Sequence, residues 1–218
     1  MTLHEAYDRL WNAYGPQGWW PGETTIEIVV GTILTQNTSW KNVERAIENL
    51  RDVGLLDSQR LHTIDIDELA EIIRPAGYYR LKARRLKNLL QLVHTQYSGQ
   101  WQELFSLDTN SLRETLLSVN GIGPETADSI ALYAANKPTF VIDAYTARVL
   151  KRHGWIDFEA GYVEMQELFH DQLEQNVLLF NEYHALIVRV GKEHCGTQPK
   201  CNGCPLQELL PESGVQTA

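Results

Sequence analysis

The sequence predicts an all-α fold, and three observations carry that prediction. Apolar residues recur at three- and four-residue intervals along most of the 218 residues. Alternating apolar and polar runs, the signature of half-buried strands, are nearly absent. The helical segments are parted by short loops, with glycine or proline at many stops. The hydrophobic fraction of 43% is too high for a disordered chain.

About ten helices follow in order. LHEAYDRLWNAYG sets Leu3, Ala6, Tyr7, Leu10, Trp11 and Tyr14 on one face. TIEIVVGTILTQNT is apolar nearly all round, which suits a buried helix. VERAIENLRDVG stops at Gly54, and DIDELAEIIRPAG has an acidic start and ends at Pro75 and Gly77. YYRLKARRLKNLLQLVHTQYSG and TNSLRETLLSVNG are the next two, and PETADSIALYAANK follows them. IDAYTARVLKRHG stops at Gly154, and VEMQELFHDQLEQ and VLLFNEYHALIVRVGKEH complete the set. No internal repeat or low-complexity linker interrupts them.

Charge and cysteine use narrow the function classes. A net charge of −9 argues against a protein that coats nucleic acid through bulk charge. A local basic patch remains compatible with it. No run approaches the ~18 apolar residues of a membrane span. The opening residues lack a basic-then-apolar leader, so an intracellular protein is expected. All three cysteines lie between Cys195 and Cys204, which favours a metal or cluster site over a disulfide framework.

The stretch VNGIGPETAD reads as helix, Gly-Ile-Gly turn, helix. Ile122 would plug the core while Gly121 and Gly123 allow the bend, and Pro124 suits a first helical position. Backbone N–H groups of the turn and of the next helix could then seat a phosphate. An ordinary helical corner is the competing reading. Downstream, Asp143 stands just before a helix, where it can cap the first N–H groups and stay ionised while doing so.

VNGIGPETA followed by FVIDAYTARVLKR closely resembles the helix-hairpin-helix DNA glycosylases of the endonuclease III type. GTILTQNTSW, RPAGYYRLKARRL and HCGTQPKCNGCP extend the resemblance over nearly the whole chain, in the family's order. It implies two helical domains with a cleft between them. One spans 24–137 and holds the hairpin at about 112–135; the other joins 1–23 to 138–218. It also implies that Asp143 is essential for cutting the base–sugar bond, since an ionised carboxylate steadies the cationic sugar. Bifunctional members carry a lysine two residues after the second glycine, which attacks the sugar as an amine. Glu125 stands there, so the resemblance narrows to monofunctional glycosylases. Glu125 could bind a base amine or simply complement the helix dipole.

GWWPGE, with Glu125, resembles the 3-methyladenine glycosylase branch. Trp19, Trp20 and Pro21 would supply an aromatic face for the flipped base, and Trp40 would cover its other side. An alkylated purine is cationic and would gain ~0.5–2 kcal/mol on indole faces. Two core tryptophans are the plainer reading. Gln36 matches the family residue that fills the gap left by the flipped nucleotide. Leu81 is a candidate intercalating side chain, and Lys82, Arg84, Arg85 and Lys87 are candidate phosphate contacts. So are Gly121, Gly123 and Thr126 of the hairpin. Arg148, Lys151 and Arg152 could add to them.

Cys195, Cys201 and Cys204 resemble the family's loop for a [4Fe-4S] cluster, in a segment running from 195 to 210. Leu210 stands where the fourth cysteine is expected. A cluster with a non-cysteine ligand such as His194, a zinc on three cysteines and one histidine, or a remnant loop without metal all remain open. None is needed for catalysis. The reading as a whole is a monomeric, cytoplasmic, nucleoid-associated enzyme that excises an alkylated purine from double-stranded DNA. A glycosylase for an oxidised or deaminated base, and a non-catalytic hairpin protein, are the rivals.

Overall fold

The computed structural model describes residues 2–216. It holds twelve α-helices and, among the described residues, no strand beyond one isolated bridge between Cys195 and Pro199. None of these helices is long and apolar enough to cross a membrane. The chain divides into two compact units, Trp20–Lys137 and Met1–Trp19 with Pro138–Ala218.

The Trp20–Lys137 unit is built around α2 (Thr25–Leu34). Its apolar sequence has no polar face because it packs on α3 (Trp40–Asp52), α6 (Tyr79–Gln96), α9 (Pro124–Ser129) and the π turn Ile130–Ala134. Glu27, the acid in this helix, is buried and pairs with Arg51 at 2.8 Å. Two short helices escape the periodicity: α4 (Ser58–Thr63) and α7 (Trp101–Phe105). One or two turns are too short to display a 3.6-residue repeat. Between them the series runs through α5 (Ile66–Ile72) and a 3-10 turn, Arg74–Ala76, into α6. After α7 comes α8 (Thr109–Leu117), the first arm of the hairpin. Asp128 in α9 is fully buried and accepts from Arg113 Nε of α8 at 2.7 Å, which locks the two arms.

The other unit packs α1 (Leu3–Tyr14) and α10 (Ala144–Arg152) on α12 (Val177–Glu193). The buried Tyr183 hydroxyl of α12 donates to Leu3 O at 2.9 Å. Gly191 of α12 lets Tyr145 of α10 approach; a Cβ there would lie 2.6 Å from the ring. The apolar run before Asp143 lies outside any helix and is buried. Phe140 stacks on Phe169 of α11 (Tyr162–Gln172) at 3.6 Å, its N–H donates to His170 Nε2, and Gln166 Nε2 donates to its carbonyl at 2.6 Å. The segment thus meets its backbone needs from side chains and delivers Asp143 to the start of α10.

Candidate active site

In the Trp20–Lys137 unit the hairpin turn follows α8. Ile122 is buried, as its plug role requires, and Gly121 has φ +97°. A side chain at 121 would be strained, and its Cβ would fall 2.3 Å from Arg85 Cγ, because Arg85 lies across the turn. Gly123 has ordinary φ and open space around it. Pro124 takes the first position of α9, and Glu125 is exposed on its first turn.

Gln36 joins this assembly. Its Nε2 donates to Thr126 Oγ1 at 2.8 Å and to Gly121 O at 3.4 Å, and Arg85 Nη1 donates to its Oε1. Gln36, Arg85, Gly121 and Thr126 therefore form one polar cluster on the turn. Thr126 is buried, and its hydroxyl accepts from Gln36.

Lys82 requires a larger correction. It is 1% exposed, and its ammonium donates to Leu34 O and Ala76 O, each at 2.8 Å. A lysine so placed caps the end of α2 and the turn before α6 and cannot meet a phosphate. Burial, with Arg85 nearby, lowers its pKa to about 8. Lys87 is similarly drawn inward, onto the carbonyls of Leu61, His62 and Ile64. Arg84 is exposed, as is Leu81 at 43%. The sequence reading missed Tyr78, 70% exposed and left-handed at φ +45° just before Leu81's turn of helix. The signal was an aromatic directly after Gly77, at a helix entry where a buried ring would be expected.

Trp20 and Trp40 are brought together, though not as facing walls. Trp20 lies over Gly31, where a Cβ would meet its ring at 3.3 Å. Trp40 meets it edge to face at 5.2 Å and 88°. Tyr133 of the π turn packs 4.9 Å from Trp20, and such turns recur at functional sites. Trp40 Nε1 donates to Glu44 Oε1 at 2.7 Å. Pro21 is exposed.

In the Met1–Trp19 and Pro138–Ala218 unit, Asp143 caps α10. Its Oδ1 accepts from Thr146 N at 2.7 Å. Its Oδ2 lies 3.8 Å from His184 Nε2, a residue the sequence reading did not single out. His184 is 4% exposed; burial lowers its pKa, with Asp143 pulling the other way. Its ring is bordered by Trp19, centroids 5.8 Å apart, and by Phe140 at 6.3 Å. Trp19 also carries the Lys192 ammonium 5.7 Å from its ring centre.

The cysteine loop in the same unit is tied by arginines. Arg148 Nε donates to Cys195 O, and Arg152 donates to Gly196 O at 2.6 Å, Thr197 O at 2.8 Å and Cys195 Sγ at 3.4 Å. Arg148 is thus engaged with the loop through Nε, and Arg152 through both terminal nitrogens. Cys195, Cys201, Cys204, His153, His194 and Leu210 line a cavity of about 10 Å³. That is room for roughly one water. With Leu210 in the fourth position, these residues do not fit a four-thiolate iron–sulfur cluster. Among the described residues no group of three or more His, Cys, Asp or Glu is arranged to hold a metal ion. Burial raises the pKa of Cys201 and Cys204.

Residues 30–175 match the HhH-GPD superfamily base excision DNA repair protein family. The chain is 48% identical over 209 residues to a candidate DNA repair glycosylase of Methanocaldococcus jannaschii, covering 95% of this chain and 94% of that one. It is 29% identical to the endonuclease III of Sulfolobus acidocaldarius, over 83% and 78% of the two chains. Among solved structures, the H. pylori 3-methyladenine DNA glycosylase MagIII bound to 1,N6-ethenoadenine superposes with a TM-score of 0.79 at 28% identity, covering 88% of this chain and 98% of that one. An endonuclease III–DNA complex shares the fold, with a TM-score of 0.82 at 21% identity over 96% and 94% of the chains.

Proposed function

The chain belongs to the HhH-GPD superfamily of base excision DNA repair proteins, and from that premise we propose that it is a monofunctional DNA glycosylase for alkylated purines. The substrate is double-stranded DNA with one damaged base turned out of the helix. Asp143 steadies the positive charge that develops on the sugar as the base–sugar bond breaks, and water completes the hydrolysis. The hairpin from Gly121 to Thr126 grips the phosphate backbone through its N–H groups, with Arg84 contributing charge. Trp20 and Trp40 supply an aromatic surface for a cationic base, with Glu125 as an acid that favours it.

One observation carries the monofunctional reading: Glu125 stands where bifunctional relatives of this type use an amine, and a carboxylate cannot form a Schiff base. The alkylpurine part draws support from the aromatic cluster and from the likeness to MagIII, a 3-methyladenine DNA glycosylase. An alkylated purine is an activated leaving group, so a site without a strong general acid suffices.

The test is incubation with randomly methylated duplex DNA and chromatography of the bases set free. Methylated adenines are expected in the supernatant, from strands that stay intact until heated in alkali. Borohydride should trap no protein–DNA adduct. A trapped adduct, or no methylated base set free, would overturn the proposal.

A further inference from the structure

The carboxylate of Asp143 has two oxygens with different fates. Oδ1 is committed to Thr146 N–H at 2.7 Å. Oδ2 points to His184 Nε2 at 3.8 Å, roughly 0.6 Å beyond the long end of an N–H···O hydrogen bond. Contacts of this kind often tighten only once substrate is bound. The imidazole that supplies the contact is 4% exposed and bordered by Trp19 and Phe140. It stands on α12, which packs directly on the helix that Asp143 caps.

We propose that His184 is the positioning residue of Asp143: a neutral imidazole, protonated on Nε2, that fixes the plane of the carboxylate by donating to Oδ2. The inference rests on the catalytic role of Asp143 given above. A cap bond to Oδ1 alone leaves the group free to swing about its terminal torsion, which is soft for an sp³–sp² bond. A donor on the second oxygen removes that freedom. The donor has to be uncharged, because a cation against Oδ2 would cancel the field that the sugar needs. A buried histidine meets both demands: it carries one N–H, and burial disfavours a second proton. An arginine or lysine would meet the first and fail the second.

The test compares His184→Phe, which keeps the ring and loses the donor, with His184→Gln, which returns an N–H near the Nε2 position. Single-turnover excision at saturating enzyme is measured beside DNA Kd and Tm. The Phe variant should lose on the order of 10- to 100-fold in rate with Kd unchanged, and the Gln variant should recover most of it. Equal rates in Phe and wild type would leave His184 a packing residue and overturn the inference. Should the Phe variant not fold, nitrogen NMR of the wild-type imidazole decides. Nε2–H at pH 7 is expected, whereas an Nδ1–H tautomer, with a bare Nε2 toward the carboxylate, refutes it. Asp143→Asn is run alongside. Full activity there would remove the catalytic reading itself, whereas loss there with a fully active His184→Phe would remove only the inference.

Discussion

Two aspartates in this chain do the same local job in different surroundings. Asp108 caps α8: Oδ1 accepts from Asn110 N and Ser111 N, each at 3.0 Å, and Oδ2 takes the Ser111 hydroxyl at 2.6 Å. Both oxygens are spent on the next three residues, the side chain is exposed, and the Ser111 bonds hold its pKa below the ordinary value. Asp143 caps α10 with one oxygen and keeps the other turned toward a buried imidazole on a distant helix. Capping is a property of a few neighbouring residues. Chemistry comes from what the fold sets against the oxygen that capping leaves over. The contrast also explains why an aspartate at a helix start is a poor catalytic signal by itself.

The largest expected effect breaks this comparison directly. Asp143→Asn should cost about 10³-fold in single-turnover base release, because Asn can still accept a cap bond but carries no charge. Asp108→Asn should leave the rate untouched. Equal losses in both would mean that helix integrity, and not the carboxylate, governs turnover.

Lys82 tests whether an exposed-looking basic run conceals structure. Lys82→Met should destabilise the fold by about 2–4 kcal/mol in urea titration, since two buried carbonyls lose their donor. Its lowered pKa gives a sign. The folded chain releases this proton near pH 8 and the unfolded chain only near ~10.4. The unfolded state binds more protons in between, so the penalty of the buried charge is relieved as pH rises. The wild-type advantage over Lys82→Met should therefore widen across that window.

Within the hairpin, the two glycines differ as the two caps do. Gly121→Ala faces positive φ and the Arg85 side chain and should cost roughly 1–3 kcal/mol, with weaker DNA binding. Gly123→Ala meets open space and should cost much less stability. Similar losses at both would show that turn flexibility in general, and not the Arg85 contact, sets the requirement.

The smallest effect concerns acid. Burial depresses the pKa of His153 and His184, so the unfolded chain takes up these protons first as pH falls below ~6.5. Stability should then decline toward pH 5, and His184→Phe should flatten the decline. An unchanged slope would mean that His184 is protonated as readily in the fold as in the free chain.

Much of the helical order was legible before any coordinates. The long segments carry their period, and Ser, Thr, Asn or Asp begins several of them. The helices α4 and α7 were not legible, because five or six residues cannot show a period. At the site, Asp143 and the bend at Gly121 could be read from their neighbours. The partition of the basic helix could not. Lys82, Arg84 and Arg85 look alike in sequence, yet one is buried on carbonyls, one is exposed and one lies across the hairpin. Tyr78 carried only its place directly after Gly77, and His184 no local mark at all.

The sequence by itself determined the order of the longer helices, several of their starts and stops, and which acid heads α10. These are decided by interactions spanning three or four residues, where side-chain type and spacing are the whole argument. Only the tertiary structure decided that Lys82 is a brace, that Arg148 and Arg152 tie the cysteine loop, and that an imidazole stands behind Asp143. Each of those depends on burial and on partners far along the chain. The energy of a charge or a hydrogen bond is set by who surrounds it, and no stretch of ten residues contains that information.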